Sequence, residues 1–289
     1  MLSEDQTNHF WEHGYVVASA AAAPEVRETL LGEFNTWREE SREHDANYGF
    51  DTADGKARFD LEEGHSAEHP KLRRVANPVD ISEAYRRALF EGTIPEMVAD
   101  LIGPDVKFHH CKLNIKMPGM DTRVEYHQDH PYDPHTNDDM VAILLLLDDM
   151  SEENGCLRVV PGSHCERYSH FKDDEFTGMT TPELYDNFQA RSVPVEGNAG
   201  DVCLMHTWTV HGGGPNRSDK LRRLLICDYN AADAFPLTTP AIPSPHNGRI
   251  VHGKSTRTAR LTQTEVEIRT PYKDDSFFGL TGQKAAGES

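Results

Sequence analysis

At Lys107 the hydrophobic period changes from that of a helix to that of a strand, and this change restricts the fold more than any other feature of the chain. In KFHHCKLNIKM, Cys111, Leu113, Ile115 and Met117 alternate with His110, Lys112, Asn114 and Lys116. A two-residue period of this kind gives a strand with one apolar and one polar face. Further strand candidates follow at MVAILLLLDD, CLRVVP, RSVPV, DVCLMH and RRLLICDY. Turn signals such as Glu153-Asn154-Gly155 and Pro161-Gly162-Ser163 separate them. Six or more short strands without helical crossovers predict a mainly β fold, a sandwich or jelly roll.

Upstream, residues 1–106 read as a mainly helical layer. Pro24 fits the first turn of a helix whose stripe is Val26, Leu30, Leu31, Phe34 and Trp37. Two shorter helical patterns run from Ser82 to Phe90 and from Ile94 to Ile102, where Gly103-Pro104 stops them. Residues 107–230 form the expected β core, and 231–289, proline-rich and without period, a wrapping tail or lid. The 289 residues suit one domain, because sandwiches and barrels of this length form single units.

Lys plus Arg total 29 against 48 Asp plus Glu, a formal charge of -19, which argues against nucleic acid or an anionic membrane as partner. The longest apolar run, Val141 to Leu147, is far too short to span a bilayer. The amino-terminal MLSEDQTNHFWEHGY does not read as a secretory signal. Five cysteines without a CxxC pair read as reduced thiols in a cytoplasmic setting. A soluble monomer or small homo-oligomer is expected, with a small molecule as its partner.

Sixteen histidines are too many for each to be functional, so arrangement must select among them. In YHQDHPY, His127 and Asp129 are two residues apart, which on a strand points both to one side and lets them grip one cation. An imidazole beside a carboxylate suits divalent iron, and a facial triad needs one more histidine. His211, after DVCLMH and opening HGGGPN, is chosen, the glycines being read as a tight turn with space near a metal. His206, His130 and His135 compete with it. Three protein ligands leave coordination positions for a bidentate co-substrate and O₂. A dicarboxylate co-substrate needs a guanidinium for its far end. Arg222 shares a face with Leu224 and Ile226, and Arg223, on the opposite face, is the alternative.

Together these segments resemble the phytanoyl-CoA dioxygenase family of Fe(II)/2-oxoglutarate oxygenases. The resemblance runs through FWEHGYVV, KLNIKMPG, YHQDHPY, ENGCLRVVPGSH and GDVCLMHTWTVHGGGPNRSDKLRRLLICDY. It implies a double-stranded β-helix, iron held by His127, Asp129 and His211, and 2-oxoglutarate held by Arg222 with Asn114 and Lys112. Asp129 stands where related halogenases have a small residue, so hydroxylation or a related C–H oxidation is expected rather than halogenation. The competing classes are a cupin-like metal-binding sensor and a zinc hydrolase on the same ligands. Trp208 reads as core packing, Tyr126 and Tyr132 as substrate contacts or turn packing, and DDMSEEN as a solvated turn. The segments 130–139 and 171–189, with the tail, are expected to shape the substrate pocket.

Overall fold

The computed structural model describes residues 1–269. Its helices are α1 (Glu4–His13), α2 (Pro24–Glu40), α3 (Glu83–Phe90), α4 (Thr93–Ile102) and α5 (Tyr185–Arg191). Its strands are β1 (Tyr15–Ala18), β2 (Phe59–Leu61), β3 (Leu72–Ala76), β4 (Val106–Lys116), β5 (Val124–His127), β6 (Met140–Leu146), β7 (Leu157–Val159), β8 (Phe171–Lys172), β9 (Glu175–Phe176), β10 (Val193–Val195), β11 (Val202–His206), β12 (His211–Gly213), β13 (Arg222–Ala231) and β14 (Ile250–His252). The larger sheet runs β1-β11-β6-β13-β4-β3-β2, with β14 also on β4, and the smaller runs β10-β7-β12-β5. Each named pairing is antiparallel. The protein is mainly β.

Strand β6 is apolar throughout because both faces of the larger sheet are covered. Val141, Ile143 and Leu145 pack with Phe34 of α2, Leu89 of α3 and Val98 of α4. Ala142, Leu144 and Leu146 point the other way and pack with Val159 and Val195 of the smaller sheet. The alternation read in β4 divides along the same line. Cys111, Leu113 and Ile115 belong to the helix-side core, whereas Lys112, Asn114 and Lys116 line a cavity between the sheets. Leu225 is fully buried on the helix side. Leu225→Ala is expected to lower the unfolding free energy by about 2–5 kcal/mol, measured by urea denaturation, without changing ligand affinity in the folded protein.

Local chemistry explains the helix bounds. Ser3 caps α1 in a reciprocal box with Gln6, and the helix ends at Gly14 with φ 82°. Leu30, Phe34 and Trp37 are the buried stripe of α2, and Ser82 caps α3 by accepting from the Tyr85 N–H.

Residues 1–106 carry α1 to α4, and three short strands that were not expected lie among them. β1 closes one edge of the larger sheet against β11, while β2 and β3 extend the other edge. Short length and charged residues concealed β2 and β3. Arg74 lies 2.7 Å from Asp60 and Arg73 3.6 Å from Glu62, all four buried or nearly so, and such pairing lets charge occupy a strand. In the tail, β14 pairs with β4, and the part of the expected tail beyond residue 269 lies outside the described residues. No helix among the described residues is long and apolar enough to cross a membrane.

Candidate metal centre

Strands β5 and β12 bring the expected ligands together. His127 and His211 are direct cross-strand partners, and their rings lie 4.1 Å apart. Asp129 follows the end of β5, where the backbone has turned to φ -75°, ψ -36°. Same-side projection from a continuous strand is therefore not what brings it to His127. Instead its N–H donates to the Thr207 carbonyl at 2.8 Å, and the turn swings the carboxylate back. Asp129 Oδ1 then lies 3.5 Å from His127 Nε2 and 3.6 Å from His211 Nε2.

Both imidazoles have their tautomer set by the backbone. His127 Nδ1 lies 2.8 Å from the Glu125 carbonyl and His211 Nδ1 3.0 Å from that of Thr209. A carbonyl only accepts, so Nδ1 carries the proton and each Nε2 presents a lone pair to the centre, the usual support of a metal-binding histidine. Burial pushes His211 down to about 4, keeping it a neutral donor. Burial acts to raise the Asp129 pKa, but His211 and His127 outweigh it and hold the carboxyl below its usual range.

The competing histidines are engaged elsewhere. His206 accepts from the Trp208 N–H and His135 bonds Asp133 O and Asn230. His130 stacks on Trp208 at 4.2 Å, and the Trp208 indole N–H donates to Asp138, which makes Trp208 packing. Tyr132 stands edge-on to His127 at 5.9 Å. The Tyr126 hydroxyl is taken by Gln189 and Ser192. Sequence reasoning passed over Gln128 and His170, both fully buried. The Gln128 N–H donates to His170 Nε2 and its side-chain amide to Glu166 and Trp208 carbonyls, clamping the segment between the two ligands.

HGGGPN is not a tight turn at its start, because His211–Gly213 is strand β12. Gly212 is required for close approach: a Cβ there would lie 2.8 Å from the Val124 carbonyl. Gly212→Ala is expected to push β12 from β5 and weaken iron binding by about 10-fold or more, read by equilibrium Fe(II) titration.

Two cavities meet at this cluster, both lined by His127, Asp129 and Lys112. The first, of about 80 Å³, is also lined by Asn114, Lys116 and Arg222. Opposite residues on β13 and β4 build its floor, Arg222 facing Lys116, Leu224 facing Asn114 and Ile226 facing Lys112. Arg222 is buried, and burial lowers its pKa to about 10. Its Nε has no hydrogen-bond partner, nor does Asn114 Oδ1, and no carboxylate pairs with Arg222 among the described residues. A buried, uncompensated guanidinium calls for an anion, and its fork suits a carboxylate. Arg223 faces away, held by Asp148 at 2.8 and 2.5 Å.

The second cavity, of about 160 Å³, is walled by His110, Tyr132, Asp133 and Asp228, with residues 239–243 of the tail and Arg269. The tail therefore contributes to the pocket, and Phe176, from the 171–189 segment, reaches it indirectly by packing on Tyr132 at 5.0 Å. A register shift at Asp228/Tyr229 leaves His109 without a cross-strand partner. A bulge of this kind turns neighbouring side chains to one face, and His109 and His110 both approach Asp133, at 3.5 and 3.2 Å.

Two imidazoles, one carboxylate and a neighbouring cavity with an unpaired guanidinium suit iron and 2-oxoglutarate, the requirements of a 2-oxoglutarate-dependent dioxygenase. Residues 10–224 match the family model described as phytanoyl-CoA dioxygenase (PhyH), and the chain belongs to this family. It is thus an iron- and 2-oxoglutarate-dependent oxygenase acting on a small molecule. It is 33% identical over 206 residues, 70% of this chain and 71% of the relative, to a probable alpha-ketoglutarate-dependent hypophosphite dioxygenase of Stutzerimonas stutzeri. It is 26% identical over 230 residues, 79% of this chain and 82% of the relative, to a 2-aminoethylphosphonate dioxygenase of uncultured bacterium HF130_AEPn_1. In fold it is similar to iron-bound EctD from S. alaskensis, with a TM-score of 0.68, 20% identity and 88% of each chain covered.

Proposed function

We propose that His127, Asp129 and His211 hold Fe(II), and that Arg222, with Asn114 and Lys112, binds 2-oxoglutarate in the adjoining cavity. The observation that carries this reading is the buried guanidinium, without a counter-ion among the described residues, beside two imidazoles whose Nε2 atoms converge on one carboxylate. When bound, iron and 2-oxoglutarate supply the oxidising power, O₂ being consumed as the keto acid is decarboxylated to succinate and the substrate hydroxylated. The protein's own residues do the rest. Glu125 and Thr209 carbonyls fix the imidazoles, Thr207 fixes Asp129, and Arg222 orients the keto acid by its distal carboxylate. Tyr132 and the tail narrow the substrate cavity and keep water from it.

The β core is a double-stranded β-helix within a single domain, supported by the two antiparallel sheets sharing one core. The substrate is a small polar organic molecule, a reading supported by the modest cavity of about 160 Å³ and its charged wall. The surplus of acidic residues supports a small-molecule partner over nucleic acid or membrane, and five free cysteines support a cytoplasmic setting. Anaerobic reconstitution with Fe(II) and 2-oxoglutarate, then exposure to O₂ with a panel of small polar molecules, tests the function. Substrate-dependent succinate formation is expected, and its absence across the panel with iron, alongside turnover with zinc, would favour the hydrolase instead.

A further inference from the structure

We propose that the substrate is a small zwitterion, its ammonium group received by Asp228 and its oxyanion by Arg269; the proposal rests on the iron and 2-oxoglutarate reading above. It follows from finding which charges around the second cavity already have partners. Asp54 faces Lys56 at 4.0 Å, and Arg74 ends on Asp60 at 2.7 Å. Asp129 belongs to the iron cluster, and Lys112 stands at the junction with the 2-oxoglutarate cavity. Asp133 is fully engaged: Oδ2 faces both His109 and His110, and Oδ1 accepts the Ala241 N–H at 2.7 Å.

Asp228 and Arg269 remain. Asp228 Oδ2 lies 3.1 Å from His110 Nε2, but that nitrogen is also 3.2 Å from Asp133 Oδ2, and one N–H does not serve two carboxylates fully. Asp228 Oδ1 is buried and accepts no hydrogen bond among the described residues. Burial first, and then the Asp129 charge, push its carboxyl up to about 7, against the opposing pull of Lys112. Asp228 itself lines the cavity, and its terminal torsion is a broad one about which the two oxygens exchange. On the opposite charge, Arg269 gives one hydrogen bond to the Thr239 carbonyl at 3.2 Å, while its buried Nε has no partner among the described residues. One vacant acceptor and one guanidinium with a vacant Nε on a single cavity are complementary to a molecule carrying both charges.

A second metal ion at His109, His110 and Asp133, whose donor atoms lie within 4.8 Å of one another, is the competing use of this wall. The histidines argue against it. His110 Nδ1 has no partner, whereas both iron-site histidines have Nδ1 on a carbonyl, the support that metal-binding imidazoles ordinarily have. The distances of 3.2 and 3.1 Å from His110 to its two carboxylates are those of direct hydrogen bonds.

The test is calorimetric titration of the anaerobic enzyme, loaded with Fe(II) and saturating 2-oxoglutarate. The probes are ω-amino acids of two to six carbons, with the n-alkylamines and n-alkanoates of equal length. At the best length the amino acid is expected to bind about ten- to a hundredfold more tightly than either partner, the range of a charge-assisted hydrogen bond. Asp228→Asn should abolish the preference over the alkanoate and keep that over the amine, and Arg269→Gln the reverse. A residue that merely held the fold would weaken all three ligands alike. The proposal is overturned if no amino acid binds at millimolar concentration, or if either variant weakens the three equally. Absence of the Fe(II)–2-oxoglutarate charge-transfer absorbance in the unaltered enzyme would instead remove the underlying iron-site reading.

Discussion

His211→Ala is expected to reduce Fe(II) affinity and substrate-dependent succinate formation by more than about 10²-fold. Loss of a residue that only supports a metal ligand typically costs about 10–100-fold, and His211 contributes a donor atom directly. The strand that carries it persists without the ring, because the backbone of β12 pairs with both β5 and β7. Folding should therefore survive, so circular dichroism and metal analysis together separate a lost ligand from a lost structure. His127→Ala and Asp129→Ala are expected to behave likewise. Asp129→Ala also removes the one negative charge that faces both imidazoles.

Arg222→Met is expected to raise the Kd for 2-oxoglutarate by about 10²-fold or more while leaving iron binding intact. Each hydrogen bond to a charged partner contributes about 1.5–3 kcal/mol, and the guanidinium fork offers two to one carboxylate. A second consequence distinguishes this residue from an ordinary structural arginine. Arg222 is buried without a counter-ion among the described residues, and replacing an uncompensated buried charge by a hydrophobe of similar volume relieves a desolvation cost. The ligand-free variant is thus expected to be no less stable than the parent, as judged by thermal melting. Arg223→Ala should do the opposite, since it breaks the ion pair with Asp148 and leaves the Kd unchanged. An unaltered Kd in Arg222→Met would move the 2-oxoglutarate site away from β13.

Strand alternation separated the two faces of β4 and β13 in the sequence, and the family resemblance then favoured Arg222 over Arg223. Lys112, Asn114 and Lys116 on β4 and Arg222 on β13 fall on the cavity face because both strands keep a strict two-residue period there. His127 and Asp129 were legible as a pair for an incomplete reason, since a turn anchored by Thr207 brings them together. Asp228 shares the face of Arg222, Leu224 and Ile226 by the same period and pairs with His110 in regular register, but a lone acid on a strand carries no signal of its own, and its role depends on long-range neighbours. Strands β2 and β3 escaped notice because paired arginines and acids occupy them. The pocket wall at 239–243 lies in irregular chain whose contacts no local pattern encodes.

Anaerobic titration of 2-oxoglutarate into the Fe(II)-loaded enzyme, followed by charge-transfer absorbance, tests the iron and co-substrate site most directly. One iron and one 2-oxoglutarate per chain are expected, with the signal lost in His211→Ala and shifted to about 10²-fold higher concentration in Arg222→Met. An undiminished signal in His211→Ala would contradict the assignment of the metal ligands.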